Sequence, residues 1–497
     1  MEILYILPVI ILGIGGISLM ILSGIKNIKI KTYAYFTMGF LALSASASLL
    51  NLGKLYSYKL YPSIFHNMFI ADSLSSYLVL LLISGGIFTM LVGKHYFERR
   101  DYFRGEFFAL LLFAIFGMSM LVHSNELITA FISLEVASLS LYVMTGFNRA
   151  NNRRIEAAFK YMVLGAFAGS FFLLGALLIY AQSGTTILGN IGIYLSSHQT
   201  GNLSLAELGG MAVVMLVFFK VSAFPFQSWT LDVYEGAPLP VAGFMAATFK
   251  IAIFGFLLRV IVVDFDTIFY NWHKLFYWVT ILTIIYGSFL ATIQKSIKRM
   301  LAASSIVHTG YMLIAISSIQ QVGVKATTSV IFYLVAYFLS AIGSFGLLSY
   351  ITSDERLRIT YDDFKGFAKS HPYMAAVMSV FMFSLAGIPG TMGFIGKFYI
   401  FSSAIEAHNY ILALIGILAT FISIYYYFKL IAVMYFYDEP TMAQSAKLQG
   451  LSPKVIAFVA LLLLWGGLGS NILFIPGVDF LINLAQTSYD SLLLPFR

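Results

Sequence analysis

In this 497-residue chain Glu135, Lys220, Lys250, His308 and Lys397 carry titratable side chains inside long apolar stretches, away from the stretch ends. At 1.5 Å of rise per helical residue, Glu135, Lys250 and Lys220 lie ~14, ~18 and ~20 Å into their stretches, and Lys397 lies ~17 Å from its end. A bilayer core is ~30 Å thick, so these depths are central. A charge there costs about 2.5–3.5 kcal/mol even on the mildest scale, and by default it marks function. Burial makes a lysine shed its proton more readily, and a nearby carboxylate reverses that. An imidazole titrates near neutrality and passes protons through neighbouring hydroxyls. The set therefore has the chemistry of a proton relay through Glu135, Lys220, Lys250, His308 and Lys397. Glu135 bonded to one lysine as helix glue would explain a pair but not three central amines. For His308 alone, a structural bond to a flanking hydroxyl from Ser304-Ser305 or Thr309 stands beside the relay role. Lys160 and Lys429 lie near span ends, where a long stem can snorkel, and Glu156 is one turn before Lys160.

Two of the lysines sit beside helix breakers. Pro225 follows Lys220 and removes the partner of the Val221 carbonyl. Pro389 does the same to Leu385 in Gly387-Ile388-Pro389-Gly390, eight residues before Lys397. Unpaired backbone at membrane depth is tolerated only beside protein partners or a wet cavity.

Such residues need a membrane-spanning frame, and the composition supplies one. Hydrophobic residues make up 60% and charged residues 10% of the chain, with mean hydropathy +0.87. A soluble domain is about 25% charged, so soluble enzymes, disordered chains and nucleic-acid binders are excluded, the last despite a net charge of +8. Fourteen spans are predicted, at 3–24, 33–53, 71–93, 107–123, 126–147, 157–181, 207–225, 238–259, 275–293, 300–319, 326–350, 372–407, 410–434 and 454–476. With the loops assigned to alternate sides, one side carries 19 Lys and Arg and the other 6. The positive-inside rule makes the richer side cytoplasmic and places both termini outside. The first span lacks a cleavable leader's features and is expected to be a retained anchor. The broken spans are the seventh and twelfth. The expected fold is an all-α polytopic membrane protein of about 14 helices, with two inverted five-helix repeats, helices 4–8 and 9–13. Residues 1–106 form the first three helices, 107–259 and 275–434 the repeats, and 454–497 the last helix and tail.

Other chemistries find no footing. The absence of cysteine excludes disulfides, thiolate-held clusters and a cysteine nucleophile. Gly396-Lys397 lacks the glycine and hydroxyl of a phosphate loop, and the remaining histidines lack metal-ligand spacing. The 31 Tyr and 46 Phe are expected mainly at lipid-facing and interfacial positions.

Four stretches resemble the antiporter-like membrane subunits of respiratory complex I: Leu134 to Tyr142, Phe219 to Val241, Gln294 to Ser305 and Gly387 to Phe398. Gly236-Ala237-Pro238-Leu239-Pro240 and a lysine at 397 fit the N-type pattern, while Ser140 and Leu231 replace common prolines. The resemblance implies a Glu135–Lys220 pair, with Lys250 as the connecting lysine and Lys397 as the terminal one. It implies a proton-translocating subunit of NADH:quinone oxidoreductase in a bacterial inner membrane. This chain would hold no cofactor; FMN, iron–sulfur clusters and quinone would belong to partner subunits. The expected neighbours are K-, M-, L-, J- and A-type membrane subunits and lipid. The alternative reading is an Mrp-type cation/proton antiporter subunit, or the related subunit of a membrane-bound hydrogenase.

Overall fold

A computed structural model describes residues 2–25, 28–58, 62–197, 204–263, 266–352, 359–438, 450–468, 482–483 and 485–487. Of the residues in the loop count, Lys26, Lys59, Arg356, Arg358, Lys447 and Arg497 lie outside the described residues, as do His198 and most of the tail after 468.

The chain opens with α1 (Leu7–Ser23), α2 (Ile30–Tyr58) and α3 (Ser73–Glu98). Between α2 and α3 lies a two-residue antiparallel pair, β1 (Ser63–Ile64) and β2 (Phe69–Ile70), which the sequence did not announce. The next five crossings comprise α4 (Gly105–His123), α5 (Leu127–Thr145), α6 (Asn152–Ser183), α7 (Leu188–Ser197), α8 (Leu205–Val221), α9 (Thr230–Gly236), α10 (Leu239–Phe244) and α11 (Lys250–Val263). There follow α12 (Asp266–Ile293), α13 (Ile297–Ile316), α14 (Ile319–Val322), α15 (Val324–Ile351), α16 (Phe367–Ser370), α17 (Pro372–Ala386), α18 (Met392–Glu406) and α19 (Tyr410–Phe436). The last described long helix is α20 (Ser452–Trp465).

Eleven of the described stretches are long and apolar enough to cross a membrane. The broken pairs α8–α9 and α17–α18, together with α20, fill the remaining places in the fourteen-span reading. The short α7 stands in the interval between the spans expected at 157–181 and 207–225.

The two five-crossing units pack alike. In the first, α4 lies on α5, α5 on α6, α6 on the broken α8–α9, and α11 returns to α4. In the second, α12 lies on α13, α13 on α15, α15 on the broken α17–α18, and α19 returns to α12. Equivalent crossings are five apart, an odd number, so alternation gives them opposite directions. Small residues let backbones approach within the units, since a lipid-embedded bundle gains nothing from hiding oil from oil. A β-carbon on Gly175 of α6 would stand 2.3 Å from the Gly209 carbonyl oxygen of α8, and one on Gly209 would stand 2.6 Å from that of Gly175.

Burial sorts the helices. The α10–α11 crossing and α15 are buried along their whole apolar length, and α13 nearly so. Outward faces of α6 and α19 remain apolar, with Phe159, Phe167, Leu177, Leu414 and Phe421 exposed. Exposed oil is what a lipid solvent requires.

Candidate functional site

The first break is a set of hydrogen bonds that replaces lost helical ones. A capping box starts α8, with Ser204 and Glu207 satisfying each other's backbone N–H groups. At its far end Ser222 turns left-handed at φ 63°, and the Ala223 N–H donates to the Phe218 carbonyl at 2.8 Å. The Trp229 indole donates to the Phe219 carbonyl (3.1 Å), and the Thr309 hydroxyl donates to the Val221 carbonyl (2.7 Å). Val221 is the residue whose carbonyl Pro225 frees, so the gap left by the ring is filled from α13.

Lys220 occupies the last turn of α8, where the helix dipole favours a cation. Its side chain turns to α5 and donates to Ser138 Oγ (2.7 Å) and Tyr142 Oη (3.0 Å). The amine also lies 5.2 Å from the ring centre of Tyr142 and 5.7 Å from that of Tyr161. Glu135 is one turn before Ser138 on α5, half-buried, with Oε1 buried and without a hydrogen-bond partner among the described residues. No ion pair within 4.0 Å joins Glu135 to Lys220. Among the described residues, the same holds for every carboxylate around Lys220, Lys250 and Lys397. The three buried amines are held by neutral oxygens.

Lys250 follows a π-helical turn, Met245–Phe249, which residue spacing does not predict. It is buried and donates to the Ser305 carbonyl and to Thr309 Oγ1 (3.0 Å), both on α13. Thr309 therefore touches both lysine neighbourhoods: its oxygen accepts from Lys250, and its proton goes to the carbonyl next to Lys220. Tyr337 of α15 lies beneath the Lys250 amine at 5.2 Å and beside the His308 ring at 4.8 Å.

His308 is buried, and its hydroxyl partners are not those next to it in sequence. Ser304 and Ser305 donate back to their own helix, whereas Nδ1 of His308 meets the Tyr333 hydroxyl at 2.6 Å and Nε2 meets that of Tyr427 at 3.1 Å. The expectation that flanking hydroxyls solvate the ring is corrected here, because helical Ser and Thr bond more readily to the carbonyl one turn back. Tyr311 spans the next gap, with its ring 5.7 Å from that of His308 and 4.8 Å from the Lys397 amine.

Lys397 sits in the second turn of α18 and reaches back across the second break to the carbonyls of Leu385 and Ala386, each at 3.0 Å. Leu385 is the residue whose carbonyl Pro389 frees, and Lys397 fills that vacancy. Gly387 makes the reach possible: it turns at φ 80°, and a β-carbon there would stand 2.8 Å from Lys397 Cδ. The two breaks thus differ. Lys220 lies before its break and looks sideways, whereas Lys397 lies after its break and caps the helix before it.

Two charges are placed otherwise than the loop count implied. Lys298, counted among loop lysines, is buried in the first turn of α13 and donates to the carbonyls of Glu235 (2.7 Å) and Ala237 (3.0 Å). Arg259, also counted as a loop residue, is buried within α11 and pairs with buried Asp72 at 2.8 Å. Sequence spacing cannot show that a residue near a span end is covered by another helix. Lys160 behaves as snorkelling requires: half-exposed, 2.7 Å from Glu156 and 3.2 Å from Asp232. It lines a cavity of about 240 Å³ with Arg153, Asp232, Glu235 and Arg299. The tyrosines are corrected too, since Tyr142, Tyr161, Tyr311, Tyr333, Tyr337 and Tyr427 are buried around the amines and the imidazole.

Residues 124–423 match the family described as NADH:quinone oxidoreductase/Mrp antiporter, transmembrane region. The chain is 36% identical over 467 residues to NADH-quinone oxidoreductase subunit N 1 of Solibacter usitatus, covering 94% of this chain and 93% of that one. It is 39% identical over 406 residues to the subunit N 1 of Herpetosiphon aurantiacus, covering 80% and 82%. A chain in respiratory complex I from Thermus thermophilus with bound aureothin superposes with a TM-score of 0.78 at 29% identity, covering 93% of this chain and 97% of that one. The matched segment contains Glu135, Lys220, Lys250, His308 and Lys397 with both broken crossings, and the chain belongs to the NADH:quinone oxidoreductase/Mrp antiporter family and, within it, to the subunit N family of NADH-quinone oxidoreductase.

Proposed function

We propose that this chain moves protons across the membrane as a subunit of NADH:quinone oxidoreductase, through a relay of Glu135, Lys220, Lys250, His308 and Lys397. The observation that carries the reading is the buried string from Lys250 by Tyr337, His308 and Tyr311 to Lys397, with Thr309 joining Lys250 to the Val221 carbonyl next to Lys220. A hydroxyl serves an amine in both protonation states, because it accepts from an ammonium and donates to a neutral amine. Ser138 and Tyr142 give Lys220 that freedom, whereas Thr309 accepts from Lys250 and spends its own proton on the Val221 carbonyl. Lys397 meets carbonyl acceptors only, which offer no donor to a neutral amine. Glu135, with its free oxygen one turn from the Lys220 site, is the movable counter-charge.

Electron transfer belongs to partner subunits, which would hold the FMN, iron–sulfur clusters and quinone. The neighbours in the membrane would be K-, M-, L-, J- and A-type subunits. The chain would lie in a bacterial inner membrane with both termini on the outer side. Its parts would be residues 1–106, the repeats 107–259 and 275–434, and 454–497.

Lys220→Ala and Lys397→Ala, each in the intact complex in sealed vesicles, test the relay. Both are expected to assemble and to lose most NADH-driven acidification, read by a pH-sensitive dye. Full acidification in both would sink the relay. Recovery of the chain without flavin- or iron–sulfur-bearing partners would favour a stand-alone antiporter instead.

A further inference from the structure

A second cavity, lined by none of the relay residues, lies among α2, α3, α4 and the start of α20. Its volume is about 220 Å³, and its wall includes Ala34 and Met38 of α2, Met90 of α3 and Phe108 of α4. At its mouth stand Lys31, Lys94 and Glu98. Both lysines are exposed, and none of the three has a hydrogen bond or ion pair among the described residues. The wall is fixed in place. Ser452 donates to the Leu91 carbonyl at 2.8 Å, tying the start of α20 to α3. Phe108 packs against Phe97 at 5.9 Å and stacks on Tyr33 at 6.3 Å.

We propose that this groove binds one anionic phospholipid, with an acyl chain along the α2–α3–α4 wall and the phosphate on Lys31 and Lys94. Three features select a lipid. The wall is apolar and continues into an outward α2 face with exposed Tyr35, Phe36 and Leu43, so the groove opens toward hydrocarbon. Two cations face one acid at the mouth, leaving a net positive rim suited to a single phosphate. The mouth lies at the ends of helices on the side that the Lys and Arg count makes cytoplasmic, where anionic headgroups and basic side chains meet. A free phosphate would use the lysines but leave the wall unused.

The full-length chain, purified in detergent and stripped of lipid, is titrated with phosphatidylglycerol, phosphatidylcholine or inorganic phosphate and read by native mass spectrometry. One phosphatidylglycerol is expected to stay bound in preference to phosphatidylcholine. Lys31→Gln with Lys94→Gln is expected to weaken that lipid roughly thirtyfold, at about fivefold per lysine near a surface. Glu98→Gln is expected to strengthen it, and Ala34→Trp, which fills the wall, to expel it. Unchanged phosphatidylglycerol retention in the double lysine variant or in Ala34→Trp would overturn the proposal. So would displacement of the lipid by millimolar inorganic phosphate. The opposite sign expected for Glu98→Gln separates loss of the site from loss of the fold.

Discussion

An amine buried in a bundle without a carboxylate survives only if its protons have somewhere to go. Here each finds backbone carbonyls or hydroxyls, and the most consequential of these is Thr309. It accepts from Lys250 and donates to the orphaned Val221 carbonyl, so one side chain serves two sites 29 residues apart in sequence. Thr309→Val keeps the shape and removes both bonds. It would leave a buried carbonyl unpaired, at a cost of about 1–3 kcal/mol. The expected outcome is a complex that assembles but pumps several-fold less, with Thr309→Ser recovering most of the loss. Equal vesicle acidification by Thr309→Val and the parent would show that this hydroxyl takes no part. A methyl at Gly387 acts on the other lysine, because it meets Lys397 Cδ at 2.8 Å in a left-handed turn. Gly387→Ala should cost about 1 kcal/mol or more in thermal stability and reduce pumping as well; an unchanged melt would show that the turn relaxes freely.

At the scale of elements, helix ends decide where these residues stand. Glu126 caps α5, the helix that offers Ser138 and Tyr142 to Lys220. Burial alone would raise its carboxyl, but hydrogen bonds from Thr129 and Thr186 and from the N–H groups of Ile128 and Thr129 outweigh burial and hold it below the usual carboxylate range. A lowered folded value means that the cap stabilises fully above the unfolded value of about 4.3 and fades as pH falls through the folded one. Glu126→Gln should therefore melt below the parent at pH 7, by about 1 kcal/mol, and the gap should close in acid below about pH 4. A gap independent of pH would deny the carboxylate that role. The Asp72–Arg259 pair joins the start of α3 to α11 with both side chains almost wholly covered. Removing one partner strands the other charge, so Asp72→Ala should cost about 3–5 kcal/mol in unfolding measured in detergent. A loss under 1 kcal/mol would place water around Arg259.

For the molecule as a whole, the proposed relay would be one object made by the two five-crossing units. Lys220 belongs to the first unit and His308 and Lys397 to the second, with Lys250 bonded across to α13. Groups that act in series are not additive when removed. Lys220→Ala with Lys397→Ala should therefore pump about as poorly as the worse single variant. Losses that multiply would mean two independent channels, one per repeat.

Composition and apolar run length were enough to establish a polytopic all-helical chain, because a bilayer leaves a spanning segment few choices. Pro225 and Pro389 located both breaks and named the carbonyls left open, since a missing N–H is a covalent fact. The central lysines and His308 were legible because charge is rare at that depth. What filled the openings was not legible. That Thr309 reaches Val221, that Tyr333 and Tyr427 hold His308, and that Lys298 and Arg259 are covered all depend on contacts between helices far apart in sequence. Spacing along one helix fixes depth and face; which neighbour occupies that face is decided only when the crossings pack.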